Sequence, residues 1–272
     1  MVTITPASYS SRQRSDVLRD EVRTHLSLPI PQIYPTGKPY FYDDFERTNL
    51  AWTTYVSGSG AASIISTMGY MGQASMRLQT TAVADDAIEV IKKFGRLPKR
   101  RIGLEFLLHL PTFHTIGDLG ILQFGTEVRT PTVKSAYFYY DPDWGGAPRF
   151  AFSHKTASNV DLIILPAAKP LQVGAFDTWY PIKLIVDLDT SKYVAFLWNN
   201  ILVNLETYNL YEWSSTETWS DYVAFLWLKN GATAKAQDVR IDNVIGTYGE
   251  PTLSEIERIL GLTAQSCPVT LT

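Results

Sequence analysis

Between Tyr40 and about Tyr248 the chain alternates apolar and polar side chains in short runs broken by Gly, Pro, Asn and Asp, the period-two signature of half-buried β-strands. In Ser75–Thr81, Met76, Leu78 and Thr80 share one face, with Ser75, Arg77, Gln79 and Thr81 on the other. In Ile102–Leu110, the residues Ile102, Leu104, Phe106, Leu108 and Leu110 share a face, and Gly103, Glu105, Leu107 and His109 share the opposite one. This predicts a central strand with its first face in the core. Predicted strands are Ala61–Thr67, Ala74–Thr80, Ala87–Lys93, Ile102–Leu110, Leu119–Gly125, Ser135–Tyr140, Arg149–His154, Val160–Leu165, Trp179–Asp187, Tyr193–Trp198, Ile201–Leu205, Tyr222–Leu228 and Asp238–Tyr248. Asp189-Thr190-Ser191 supplies one turn, and Asn199-Asn200 another where positive φ is needed, so Trp179–Leu205 reads as a three-stranded antiparallel meander.

The two ends follow a different period. Val17, Leu18, Val22 and Leu26 recur at spacings of three and four among charged residues, which predicts an amphipathic helix over Ser10–Leu28. The prolines of LPIPQIYPTGKP then predict an extended connector outside the core. Near the other end, Thr252 and Glu255 have capping-box spacing, Leu253, Ile256, Ile259 and Leu260 form an apolar side, and Gly261 is a natural stop. The tail TAQSCPVTLT reads as loose or extended. The expected organisation is an N-terminal helix and Pro-rich arm over 1–38, an all-β sandwich over 39–249, and a C-terminal helix and tail over 250–272. Many short strands without intervening helices favour two packed antiparallel sheets over a parallel α/β fold.

Composition narrows the function classes. With 45% hydrophobic and 19% charged residues the chain buries an ordinary globular core. A formal net charge of -3, with Lys99, Arg100 and Arg101 as the one basic cluster, argues against nucleic acid as partner. Cys267 is the single cysteine, which excludes an intrachain disulfide and a thiolate-rich zinc site. The chain has no apolar run of membrane-spanning length, and its start lacks the features of a signal peptide, so no membrane partner is expected. The expected location is the cytoplasm or the interior of an assembled particle.

The stretches FYDDFERTNLAWTTYVSGSG, WYPIKLIVDLDTSKYVAFLWNNILVNL and DVRIDNVIGTYGEP resemble, in pattern and order, concanavalin A-like lectin/glucanase jelly rolls, including laminin G-like domains. The resemblance covers roughly Tyr40–Tyr248. It implies a jelly-roll sandwich with neighbouring first and last strands, whose acidic residues can hold a structural calcium. The matching positions are Asp43, Asp44 and Glu46 at the start and Asp242 and Asn243 at the end, a set of hard oxygen donors of the kind calcium takes. The Glu-x-Asp-x-x-Glu order of the glucanase branch is absent.

Aromatic residues make up 12% of the chain, with seven Trp. Sugar rings present apolar C–H faces to exposed Trp and Tyr, so a glycan groove needs such side chains on a strand face or loop rim. Tyr137 and Tyr139 share a strand face, with Trp144 in the Pro-Gly loop beyond. Trp213 and Trp219 lie with Tyr208 and Tyr211 in a long polar connection. These are the candidate ligand-binding residues: Tyr137, Tyr139, Trp144, Trp213 and Trp219. Trp179, Trp198 and Trp227 are expected to pack in the core or at an edge. His25, His109, His114 and His154 have no metal-site spacing, and no nucleophile elbow, phosphate loop or dinucleotide fingerprint appears. The leading expectation is a non-catalytic module recognising a glycan or a protein surface, with its terminal helices docking onto further copies or a larger assembly such as a virus particle. The alternative is a glycoside hydrolase with a non-standard acid pair.

Overall fold

Each strand expected from the alternation is present, and four more join them. The computed structural model describes residues 33–47, 49–70, 72–94, 101–110, 120–129, 132–144, 147–155, 160–164, 178–199, 201–214, 221–230 and 236–266. At 120–121, 129, 141–144, 147–149, 154–155, 160–164 and 221 the main chain alone is described. The strands are β1 (Lys38–Asp43), β2 (Thr53–Ser57), β3 (Ala61–Ile65), β4 (Ser75–Gln79), β5 (Ala87–Phe94), β6 (Arg101–His109), β7 (Gly120–Arg129), β8 (Thr132–Trp144) and β9 (Ala147–Lys155). They continue with β10 (Val160–Ile164), β11 (Trp179–Asp187), β12 (Lys192–Trp198), β13 (Ile201–Asn204), β14 (Tyr211–Ser214), β15 (Asp221–Asn230), β16 (Asp238–Tyr248) and β17 (Gln265–Ser266). Helix α1 spans Leu253–Leu260.

The first sheet runs β17-β13-β12-β11-β6-β16-β4-β3, with β1 also on β16; the second runs β10-β9-β8-β7-β15-β5-β2, with β14 also on β8. Pairing is antiparallel apart from the short β13–β17 contact, by which the tail that reads as loose or extended adds a parallel edge strand at Gln265–Ser266. The meander β11-β12-β13 forms as expected, with Ser191 at φ 54° and Asn199 at φ 45° in its turns. The sheets meet over one layer in which Met76, Leu78, Phe106, Leu184, Phe124, Phe138 and Phe196 are fully buried. At its centre the Phe138 and Phe196 rings stack with centroids 4.5 Å apart.

Two bulges reset the strand phase. Between Ile185 and Val186 the β11–β12 register shifts, so Tyr193 and Phe196 both enter the core although an uninterrupted strand would send them to opposite faces. In β16 the shift lies between Asp242 and Ile245, with Asn243 at φ 49°, a conformation Asn tolerates well. Ile241 and Val244 therefore both point inward, and β16 exchanges β4 for β1 as its neighbour on that side.

Over β6, β11, β12 and β13 the outer face of the first sheet is covered. Helix α1 buries Leu253 and Ile256 against Ile185, Ala195, Leu197 and Leu202, each such side chain contributing about 1.5–3 kcal/mol. Its start is stapled by Glu255, whose carboxylate accepts the Thr252 N–H and hydroxyl at 2.8 Å each, and it ends at Gly261, φ 64°. Its apolar side thus serves the chain's own sheet, with Ile259 left 46% exposed. Beside it, Ile33–Gly37 crosses β6 and β11. This segment reads from its prolines as a connector outside the core, yet Tyr34 is 2% exposed and packs in the cluster under the helix. The predicted helix Ser10–Leu28 lies outside the described residues. Among the described residues no helix is long and apolar enough to cross a membrane.

Candidate functional site: an aromatic face on the second sheet

Alternation sorts the second sheet's residues into an inner face that feeds the core and an outer face that no described element covers. Cross-strand register lines up one row of that outer face as Tyr55, Glu89, Trp227, Gln123, Tyr139 and Ala151, on β2, β5, β15, β7, β8 and β9. Aromatic side chains stand on every second strand of the row, about 10 Å apart by strand spacing, with Glu89 and Gln123 between them. Tyr55 is 51% exposed, and Trp227, Tyr139 and Gln123 are half-buried.

Two residues further along the strands, Phe225, Gly125 and Tyr137 form the next row. Gly125 is required there, because a Cβ would collide with the Ala136 carbonyl oxygen and the Phe225 ring. The Tyr137 ring lies 5.2 Å from Phe225, 6.1 Å from Tyr211 and, stacked, 6.3 Å from Trp213. Beneath this cluster Ile91, Val223 and Phe225 make a small apolar floor separate from the main core. The phenols are anchored: Tyr137 donates to Glu127 Oε1 at 2.5 Å, and the Tyr139 hydroxyl lies 3.0 Å from Ser153 Oγ. Burial, reinforced by the Glu127 charge, pushes the Tyr137 hydroxyl far above the usual phenol range. Burial also raises Tyr139. Both therefore stay protonated at physiological pH.

A side chain from the opposite sheet locks the edge on which this cluster stands. β8 pairs with β14 over Thr132–Ser135 and with β9 from Phe138 onward, leaving a gap in the ladder between them. The Tyr193 hydroxyl, brought inward by the bulge in β12, fills it: it accepts the Tyr137 N–H at 3.1 Å and donates to the Ser153 carbonyl at 2.7 Å.

Of the predicted ligand-binding residues, the structure brings Tyr137, Tyr139 and Trp213 onto one face. The side chain of Trp144 and all of Trp219 lie outside what is described. Tyr208 is buried in the core at 4% exposure. Trp198 packs in the core as expected, but Trp227 and Trp179 are half-buried on outer faces. Sequence reading missed Tyr55, Phe225 and Gly125; the alternation of Tyr222–Leu228 carried the signal for Phe225 and Trp227, but that Trp227 keeps part of its surface exposed while Phe225 is buried was not visible in it.

The acidic positions at the first and last strands also meet. Asp43 accepts the Phe45 N–H at 3.1 Å and Trp52 Nε1 at 3.0 Å; Asp44 accepts the Glu46 N–H at 3.2 Å. Glu46 accepts the N–H groups of Gln73 and Ala74 at 2.7 and 2.8 Å. Asp242 accepts those of Asn243 and Tyr70, both at 2.7 Å, and Asn243 Oδ1 accepts the Tyr42 hydroxyl at 2.7 Å. Burial, then the charges of Asp44, Asp242, Asp43 and Glu46, drives the Tyr42 hydroxyl well above its ordinary value. Among the described residues no group of three or more His, Cys, Asp or Glu side chains converges with metal-site geometry.

No protein-family model matches the sequence, and no curated protein sequence matches it. Solved structures do resemble the fold. An endo-β-1,4-glucuronan lyase from the fungus Trichoderma reesei is 12% identical over 78% of this chain and 96% of its own, with a TM-score of 0.51. The carbohydrate recognition domain of Emp47p is 12% identical over 80% and 96%, TM-score 0.46. A CBM2 module from the Dit protein of Lactobacillus casei BL23 phage J-1 is 9% identical over 78% and 96%, TM-score 0.48. At such identities the likeness to the lyase establishes the shared fold alone: this chain is a two-sheet antiparallel β-sandwich.

Proposed function

We propose that this protein is a non-catalytic glycan-binding module of the concanavalin A-like type, with its ligand lying across the outer face of the second sheet. The observation that carries the reading is the row Tyr55–Glu89–Trp227–Gln123–Tyr139, in which aromatic platforms alternate with hydrogen-bonding side chains. Two sugar residues of an extended chain span a distance comparable to the interval between platforms. Alternate rings can then lie against the platforms while intervening hydroxyls reach Glu89 and Gln123. The Tyr137–Tyr211–Trp213 cluster forms a wall along one side of that path.

Glycosidase chemistry has less support on this face. Glu89 and Glu127 stand two strands and four residues apart by register, roughly 15 Å or more, beyond the separation glycosidases use. Glu105 and Glu250 both approach Lys183, but they are buried beneath the arm. The test is a screen of the whole chain against immobilised polysaccharides and glycan arrays, followed by titration of any hit with the Trp213→Ala and Trp227→Ala variants. Saturable binding that both substitutions weaken is expected. A hit bound equally well by both variants, or no hit across neutral and acidic glycans, overturns the proposal.

A further inference from the structure

The arm Ile33–Gly37 is held on the first sheet by buried ionisable groups that grip its main chain. Glu105 on β6 and Lys183 on β11 meet it from below, and Glu250, just beyond β16, reaches the same ammonium. Lys183 Nζ lies 3.0 Å from the Tyr34 carbonyl oxygen, 2.9 Å from that of Thr36 and 3.0 Å from Glu250 Oε1. An ammonium has three N–H groups, and these three acceptors account for them. Glu105 Oε2, at 3.4 Å, is the most distant of the four oxygens and has no hydrogen-bond partner. Glu105 Oε1, by contrast, accepts the Ile33 N–H at 2.7 Å and the Tyr34 N–H at 3.4 Å.

That asymmetry is the pattern of a neutral carboxylic acid, in which one oxygen accepts as a carbonyl and the other, a hydroxyl, needs no incoming donor. Charge counting agrees. Both carboxyls and the ammonium are closed to solvent, so full ionisation leaves one negative charge uncompensated, and a single proton removes it. Glu250 Oε2 also lacks a partner, but Glu250 Oε1 has the closer ammonium and the Thr247 hydroxyl, which leaves the proton to Glu105. Burial pushes the Glu105 carboxyl above its ordinary value, against the pull of Lys183 and of the Ile33 and Tyr34 N–H groups. The other ionisable groups on the elements packed here have partners of their own. Arg101 and Asp187 pair at 2.9 Å at one end of β6 and β11; toward the other end His109 lies against the Trp179 ring, and Asp242 accepts the Tyr70 N–H. On α1, Glu255 caps the helix and Glu257 accepts the Ala264 N–H, while Arg258 is exposed, as is Lys38 beyond the arm. The Tyr34 hydroxyl donates to the Pro181 carbonyl at 3.4 Å.

We infer that Glu105 is a proton-operated latch for the arm: as the neutral acid it holds Ile33–Gly37 on the first sheet, and loss of its proton loosens the arm while both sheets stay folded. The latched form binds a proton that the open form releases. Acidification from neutrality therefore tightens the arm, and rising pH weakens it between the ordinary carboxylate value and the raised one. Gly37, at φ 71°, is the pivot between the arm and β1. Lifting the arm withdraws Tyr34 from its cluster with Ile185, Leu197 and Leu202 and opens Lys183 to water. The latch shares no residue with the aromatic face and stands whether or not that face binds a glycan.

Amide hydrogen exchange of the whole chain, followed by NMR at a series of pH values and corrected for intrinsic exchange, tests it. In the parent protein the opening of the Ile33 and Tyr34 amides is expected to grow by up to about tenfold per pH unit across that window and then to level off. Amides of β6 and β11 such as Leu104 and Leu184 are expected to keep their protection throughout. Glu105→Gln, which keeps an accepting oxygen and cannot ionise, is expected to make the arm's opening independent of pH. The side-chain carboxyl carbon of Glu105, titrated in the parent protein, is expected to change at higher pH than those of exposed glutamates, a readout that holds even if Glu105→Gln fails to fold. Arm opening that is flat with pH in the parent, an equal slope in Glu105→Gln, or a Glu105 carboxyl that titrates with the exposed ones would each overturn the inference.

Discussion

Lys183 Nζ lies 3.0 Å from Glu250 Oε1, with both side chains fully shut off from solvent. The same ammonium lies 3.4 Å from Glu105 Oε2 and donates to the carbonyls of Tyr34 and Thr36 at 3.0 and 2.9 Å. Glu105 Oε1 in turn accepts the Ile33 N–H at 2.7 Å, and Glu250 accepts the Thr247 hydroxyl. One lysine and two glutamates thus clamp the arm over β6 and β11 through its main chain. Gly37, at φ 71°, lets the arm pass Glu250, where a Cβ would collide with the carboxylate. Replacing Lys183 by Met strands two buried carboxylates, and about 3–5 kcal/mol of stability is expected to be lost. Urea unfolding measures this; an unchanged midpoint would mean that the cluster does not hold the arm.

The clamp has a pH signature. Burial raises the Glu105 carboxyl above its ordinary value despite the opposing charge of Lys183 and the N–H groups of Ile33 and Tyr34. A carboxyl with a raised folded-state pKa binds more protons folded than unfolded. Its effect therefore lowers stability as pH rises from the ordinary carboxylate value through the raised one. Glu105→Gln is expected to remove that decline from a plot of Tm against pH; a decline of equal slope in the variant would assign it elsewhere.

Asp86 titrates in the opposite sense. It is 1% exposed, and burial favours its neutral form. The Thr81 hydroxyl and N–H, both at 2.6 Å, and the N–H groups of Ser59 and Gly60, at 2.7 and 2.9 Å, outweigh this and hold the pKa below the usual range. Its stabilisation is therefore present above the ordinary carboxylate value and is lost as pH falls through the lowered one. Asp86→Ala is expected to cost about 1–3 kcal/mol near neutrality and to flatten the acid limb of the stability profile. An acid limb as steep as in the parent protein would contradict this.

Tyr193→Phe removes one hydroxyl from the gap between β14 and β9. The Tyr137 N–H and the Ser153 carbonyl both lose a partner, at an expected cost of about 1–3 kcal/mol. Amide exchange at Tyr137 is expected to quicken while exchange in β6 and β11 is unaffected. Unaltered protection at Tyr137 would remove Tyr193 as the lock on that edge.

Calcium and EDTA are expected to leave the Tm where it is, because both carboxylate oxygens of Asp43 and of Asp242, and Oε1 of Glu46, already accept main-chain and indole N–H groups. A calcium-dependent rise, abolished by Asp43→Ala, would instead place a metal among these strand ends.

On the aromatic face, Tyr139→Phe tests the anchoring of a platform rather than the platform itself. It leaves the ring but removes the contact with Ser153, so a glycan that Trp227→Ala releases is expected to bind Tyr139→Phe within a fewfold of the parent affinity. Equal losses in both variants would mean that the phenol, not the ring, makes the contact.

Alternation along the chain determined most of the strands, the meander β11-β12-β13 and the inward faces of β4 and β6, because burial of every second side chain is a local requirement written into each segment. The Thr252–Glu255 box determined where α1 starts for the same reason. It placed Tyr137 and Tyr139 on one strand face but left open whether that face meets solvent. Tertiary structure decided that: α1 and Ile33–Gly37 settle on the first sheet, while Tyr137, Tyr139 and Trp213 remain half-buried on the second. It also decided the two bulges, since one extra residue changes a strand's phase only relative to the particular strands beside it. Lys183 is a charged residue inside the predicted strand Trp179–Asp187, and a segment nearly 150 residues earlier buries it completely. Period two distinguishes one side of a strand from the other; what comes to rest on each side depends on contacts between distant parts of the chain, which no local pattern records.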